Sequence, residues 1–116
     1  MFLELGHTKK PVYTSARKVV IETYKATKDF PADERFALVQ QIRRAATSVH
    51  LNIAEGCSRK SEAERKRYFE VSRGSLIEVD AALDVAEDLD YVNKEKVSEL
   101  GAAIIATFKQ LSGLIG

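Results

Sequence analysis

Apolar and small residues recur along this chain at spacings of three and four, the pattern of helices that bury one face. Four such segments stand out. The first runs from about Val12 to Thr27, with Val12, Ala16, Val19, Thr23 and Ala26 on one side and Pro11 at the entrance, where proline is tolerated. Asp29-Phe30-Pro31 breaks it, because the residue before a proline disfavours helix. The second runs from about Asp33 to Glu55. Its acidic start suits the helix dipole, Val39, Ile42, Ala46, Val49 and Ile53 form its core stripe, and Gly56 is placed to end it in a left-handed conformation. The third opens on the capping box Ser61-Glu62-Ala63-Glu64 and continues to about Tyr91, with Phe69, Ser72, Leu76, Val79, Leu83 and Ala86 as its seam. Gly74 interrupts it at a cost of about 1 kcal/mol relative to alanine, which predicts a close helix approach there. The fourth spans about Lys94 to Leu114, capped by Asn93, with Val97, Leu100, Ile104, Phe108, Leu111 and Ile115 facing inward.

No strand-like alternation of useful length, internal repeat or low-complexity segment is present. Short connections between long amphipathic helices favour antiparallel neighbours, so the expected fold is all-α, an up-down-up-down four-helix bundle spanning residues 1–116 as one domain. At 116 residues the chain is long enough to bury a core without disulfides or metals. A single cysteine, Cys57, excludes an intrachain disulfide. The start of the chain lacks the long apolar run of a signal peptide, and no stretch approaches the roughly 20 apolar residues of a membrane span. A cytoplasmic protein that does not enter membranes is expected.

The net charge of +1 conceals an asymmetry: residues 35–73 carry nine Lys/Arg against four Asp/Glu, whereas residues 74–116 carry three lysines against eight acids. The two halves can neutralise each other within one subunit, pair between subunits, or meet different partners. The basic share gathers around the turn between the second and third helices, at Arg59, Lys60, Arg65, Lys66, Arg67 and Arg73, with Arg43 and Arg44 on the preceding helix. Such a cluster is the electrostatic footprint of phosphate contacts, and Tyr68 beside it would stack on a base if exposed. The competing reading pairs these side chains with Glu62, Glu64, Glu70 and the acidic helices.

The second helix also carries a polar stripe: Gln41, Arg44, Ser48, Asn52 and Glu55, spaced three, four, four and three, away from the core stripe. A solvated face is one reading. The other is a subunit or partner interface, because the stripe has no lysine and uses serine and asparagine, which are weak helix formers. Leucine at Ser48 or Asn52 is expected to disturb assembly or packing more than Lys66→Ala.

Candidate chemistry is sparse. The chain has no HExxH motif and no Cys/His cluster, and Gly56-Cys57-Ser58-Arg59-Lys60-Ser61 has too few glycines for a phosphate loop. Cys57 near Arg59 and Lys60 has the setting of a lowered thiol pKa, but a lone loop cysteine is more often inert. No catalytic residue, metal site or cofactor is expected.

The run from Phe30 to Ala46, with Ser48-Val49, then Asn52-Ile53-Ala54-Glu55-Gly56, and Arg73-Gly74-Ser75-Leu76-Ile77-Glu78 in the third helix, resembles the bacterial 23S rRNA intervening-sequence family over roughly residues 9 to 114. The resemblance implies an antiparallel four-helix bundle. It also implies a homopentamer, through similarity to the barrel-shaped accessory protein of diversity-generating retroelements, which binds nucleic acid and a reverse transcriptase. The family's shared polar residues fall on Gln41, Arg44, Ser48, Asn52 and Glu55.

Together these readings predict a non-enzymatic oligomeric binding protein with a basic surface for RNA or DNA. The alternative is an interaction adaptor, or an accessory subunit of a nucleic-acid enzyme such as a reverse transcriptase, whose acidic helices meet a basic partner.

Overall fold

The computed structural model describes all 116 residues and forms four helices: α1 (Pro11–Thr27), α2 (Leu38–Cys57), α3 (Glu62–Asp88) and α4 (Ser98–Ile115). Short 3-10 turns at Gly6–Lys9 and Ala32–Glu34 precede α1 and α2. The bundle measures 43 × 30 × 23 Å. No helix is long and apolar enough to cross a membrane.

The periodic positions form the core. Val39, Ile42, Ala46, Val49 and Ile53 of α2 are all buried, as are Val12, Ala16, Val19 and Thr23 of α1 and Phe69, Ser72, Leu76, Val79 and Ala86 of α3. Each large aliphatic side chain among them contributes roughly 1.5–3 kcal/mol by leaving water. Pro11 opens α1 in its first turn, and the Ser61 oxygen accepts the Glu64 N–H at 3.1 Å to open α3.

Neighbouring helices run antiparallel around a square. Thr27 meets Arg43 and Tyr13 meets His50 between α1 and α2. The Ser48 and Ser75 hydroxyls lie 2.9 Å apart, while Gly56 lies against Phe69, between α2 and α3. Ser15 donates to Gln110 at 2.6 Å and Lys18 to Glu99 at 2.8 Å between α1 and α4. Arg73 donates to Ser112 at 3.1 Å between α3 and α4. The α2/α3 seam is the most extensive of the four and the α3/α4 seam the loosest.

Several boundaries differ from the sequence expectation, each for a tertiary reason. Helix α2 starts at Leu38, not Asp33, because residues 30–37 form a strap across the end of the bundle. Phe30 is buried against Tyr91, with ring centroids 5.2 Å apart, and Tyr91 donates its hydroxyl to Glu34 at 2.8 Å. Helix α3 stops at Asp88, three residues before Tyr91, in a Schellman motif: the Tyr91 N–H reaches the Ala86 carbonyl and the Asp90 N–H the Glu87 carbonyl, both at 2.9 Å. Asp90 supplies the left-handed residue, at φ 62°. Asn93 accepts the Lys96 N–H at 2.9 Å, but it caps a single turn ahead of α4, which becomes regular at Ser98. In α4 the inward stripe includes Ala103 and Thr107, and Phe108 is 41% exposed rather than core.

Gly56 and Gly74 both act differently from expectation. Gly56 does not terminate α2 in a left-handed conformation; it lies within the helix and is buried. A Cβ there would sit 2.9 Å from Phe69 Cε1 and 3.0 Å from Tyr68 Cβ, so glycine permits the close α2/α3 approach. Gly74 is exposed, and a Cβ there meets nothing within 4 Å, so no neighbouring helix accounts for it. We therefore expect Gly74→Ala to stabilise the fold by up to about 1 kcal/mol, read as a higher urea midpoint with unchanged slope. A lower midpoint would contradict the open surroundings.

Candidate functional site

The polar stripe of α2 lies on the outside of the α2/α3 seam. Gln41, Arg44 and Glu55 are exposed, and Ser48 and Asn52 half-buried. Asn52 donates from Nδ2 to the Ser48 carbonyl at 2.9 Å and to Ser48 Oγ at 3.0 Å, and Ser48 pairs with Ser75 across the seam. Glu55 holds Arg59 at 2.6 Å. The stripe is therefore satisfied locally where it is half-buried and faces outward elsewhere.

A matching stripe on α3 escaped the sequence reading. Val71, Ser75, Glu78, Ala82, Val85 and Leu89 recur at spacings of four and three, displaced around the helix from its core seam. Val71, Val85 and Leu89 are each nearly half exposed, at 49%, 48% and 48%. Phe36, at 82%, lies beside Val85 and Leu89 on the α2 side, whereas Leu51, at 58%, lines a separate hollow with Phe2, Leu3, His7 and Tyr13. Phe36, Gln41, Arg44, Val85 and Leu89 surround an open hollow of about 520 Å³. The signal lay in the apolar residues of α3 that fit no core position.

The basic residues separate into groups. Arg59 is gripped by Glu55 and by the Tyr68 hydroxyl at 3.0 Å, with its guanidinium 4.9 Å from the centre of the Tyr68 ring. The hydrogen bond to Glu55 raises the Arg59 pKa above its usual value. One face of Tyr68 is thus already stacked. Arg65 donates to the carbonyls of Arg59 and Lys60, at 2.9 and 2.8 Å, and staples the turn. Lys66 sits 3.6 Å from Glu62, while exposed Lys60 and Arg67 have no ion-pair partner. Two members lie elsewhere. Arg43 donates to Thr27 Oγ1 at 2.9 Å and packs on Tyr24, closing the C-terminal end of α1 at the opposite end of α2 from the turn. Arg73 faces α4, through Ser112 and over Phe108.

The two histidines, distant in sequence, meet through one ring. His7 lies edge-on to Tyr13 at 5.2 Å, and Tyr13 lies 4.5 Å from His50. His50 is half-buried and its Nδ1 has no hydrogen-bond partner. Burial first, then the charges of Arg17 and His7, lower its pKa below the ordinary value. The unfolded chain therefore binds this proton more readily than the native one. Stability from this group is complete above about pH 6.5 and declines as the pH falls below it. We expect His50→Gln to reduce the loss of urea midpoint between pH 7.5 and 5.5; an identical loss in both proteins would remove His50 from the account. No three His, Cys, Asp or Glu side chains converge as a metal site would require, and Cys57 packs half-buried against the core.

Residues 8–113, which span both surfaces and every helix but the last two residues of α4, match the description 23S rRNA-intervening sequence protein. The chain belongs to that family. A solved structure of a protein of unknown function from the S23 ribosomal protein family of Bacteroides thetaiotaomicron shares the fold of this 23S rRNA-intervening sequence protein. Its TM-score is 0.79 at 20% identity, over 90% of this chain and 97% of the other. No curated protein matches the sequence. The family match agrees with the resemblance carried by the Phe30–Gly56 and Arg73–Glu78 segments, and the shared fold agrees with the expected bundle.

Proposed function

We propose that this protein is a non-enzymatic, oligomeric binding protein whose subunits assemble through the α2/α3 face and display the basic turn to nucleic acid. The carrying observation is the set of exposed apolar side chains, Phe36, Val71, Val85 and Leu89, on the α2/α3 face that holds the Ser48–Ser75 pair. Apolar residues grouped on one face with short polar residues between them are the composition of an interface rather than of a solvated helix. The subunit number of five follows the resemblance to the barrel-shaped accessory protein.

At the end of the same seam, Lys60 and Arg67 are unpaired, and Arg65 holds the turn that carries Lys60. One such site is weak. Several on one particle bind an extended polyanion with far higher avidity. Arg43 and Arg73 have structural partners and stand apart from this patch.

Light scattering tests assembly. A particle of five 12.9 kDa chains is expected, and a monomer at micromolar concentration would overturn the reading. Gel-shift titration with structured RNA and duplex DNA tests the ligand. Binding is expected to weaken steeply with salt, and Lys60→Glu with Arg67→Glu is expected to lower affinity by roughly tenfold or more. Undetectable binding at low salt would leave no support for a nucleic-acid partner.

A further inference from the structure

Helix α3 presents a third stripe, on the far side of its core seam from the proposed assembly face. Arg73, Ile77, Asp80, Asp84 and Glu87 follow spacings of four, three, four and three, and on α4 Gly101, Ile105, Phe108 and Ser112 do the same. Between them the loosest seam of the bundle opens into a groove. Two hollows of about 500 and 250 Å³ lie along it and share Asp80, Ile104 and Ile105. From Leu76 to Glu87 the groove is about 17 Å long, the length of three turns of a docked helix.

Its walls are apolar and its edge is acidic. Ile77 and Ile105 are 54% and 58% exposed, and Phe108 is 41% exposed. Where Gly101 lies, a Cβ would meet nothing within 4 Å, so the groove is open above α4. Asp80, Asp84 and Glu87 line the α3 edge, and none joins an ion pair of the molecule. Lys94 and Lys109 contribute only toward the two ends. Carboxylates at i, i+4 and i+7 beside an apolar trough match a helix carrying lysine or arginine at the same spacing along an apolar face.

We propose that the α3/α4 groove docks a basic amphipathic helix of a partner protein. Its apolar side chains would fill the trough between Ile77, Ile105 and Phe108, and its cations would meet Asp80, Asp84 and Glu87. This site is independent of assembly through the α2/α3 face, which uses a different side of α3.

The test uses the full-length protein and a labelled 18-residue helical peptide with leucine at positions 1, 4, 8 and 11 and lysine along the flanking stripe. A second peptide replaces every lysine by glutamate. Fluorescence anisotropy is expected to show micromolar binding of the lysine peptide, weakened by salt, and far weaker binding of its glutamate counterpart. Asp80→Lys with Asp84→Lys is expected to reduce affinity about tenfold, from the loss of two surface ion pairs and the like charges put in their place. Ile105→Glu is expected to reduce it comparably while leaving the peptide's charge contacts intact. Both variants alter exposed side chains, and circular dichroism confirms that the bundle persists. Equal binding of the two peptides, no binding of the lysine peptide, or affinity unchanged in both variants overturns the proposal. So does a fall in particle mass for Ile105→Glu, which would make the groove a contact between copies of this chain.

Discussion

Replacing Gly56 with valine is expected to lower the free energy of unfolding by about 3 kcal/mol, the upper part of the range for overpacked cores. The reason is steric. Even a single Cβ at this position would stand 2.9 Å from the ring of Phe69 and 3.0 Å from Tyr68 Cβ. Phe69 is 5% exposed and belongs to the core, so its ring has little room to retreat. Valine adds two further methyl groups, and α2 and α3 must separate along the most extensive seam of the bundle. For a domain of this size the thermal midpoint should fall by about 10 °C. The Gly74→Ala change, in open surroundings, is expected to move the midpoint the opposite way. An unaltered melt for Gly56→Val would mean that Phe69 turns aside without penalty, and the close-approach account would then fail.

The second large effect concerns assembly. Val85→Lys combined with Leu89→Lys should convert the particle to single chains of 12.9 kDa, measured by light scattering. Both residues are 48% exposed in the isolated subunit, so lysine is accommodated there with its ammonium group in water. In an interface the same ammonium groups would be desolvated without partners, at a penalty of several kcal/mol each. Helicity should therefore survive while the mass collapses. Ser48→Leu and Asn52→Leu are expected to act in the same direction, because they displace the hydrogen bonds at the centre of the face, whereas Lys66→Ala should leave the mass unchanged. A double-lysine variant of undiminished mass would exclude this face as the subunit contact.

The basic turn shows where one-dimensional reading reaches its limit. Arg59, Lys60, Arg65, Lys66 and Arg67 are neighbours in sequence and remain so in space. Arg43 and Arg73 joined the group only by counting charges along the chain. The fold gives Arg43 to the carbonyl end of α1 and Arg73 to α4, contacts with residues 16 and 39 positions away. Arg59 and Arg65 are also held by hydrogen bonds to side chains and carbonyls around the turn. A charge seen in sequence is an unassigned donor, and its partner is set by whatever backbone arrives beside it.

The same limit explains the missed stripes of α3. A helix of 27 residues displays several faces, and a search for one inward seam accounts for only one of them. Val71, Val85 and Leu89 look like scattered apolar residues until α2 is placed alongside. Ile77 acquires meaning only when Ile105 and Phe108 stand across the α3/α4 groove. The meeting of His7, Tyr13 and His50 was equally hidden, since it depends on how the first turn folds back onto α1 and α2.

Local chemistry by itself determined a great deal: the all-helical class, the inward residues of α2, the proline entrance of α1 and the serine cap of α3. Each follows from helical period or from a hydrogen bond spanning three residues, and both are properties of a short segment. Tertiary structure alone decided that Asp33–Ala37 forms a strap instead of a helix, that α3 turns back at Asp90, and that Gly56 serves packing while Gly74 stands in the open. It also decided which outward faces are left without a covering partner. Those outcomes depend on contacts between segments, where packing and buried hydrogen bonds outweigh propensities of about 1 kcal/mol or less per residue.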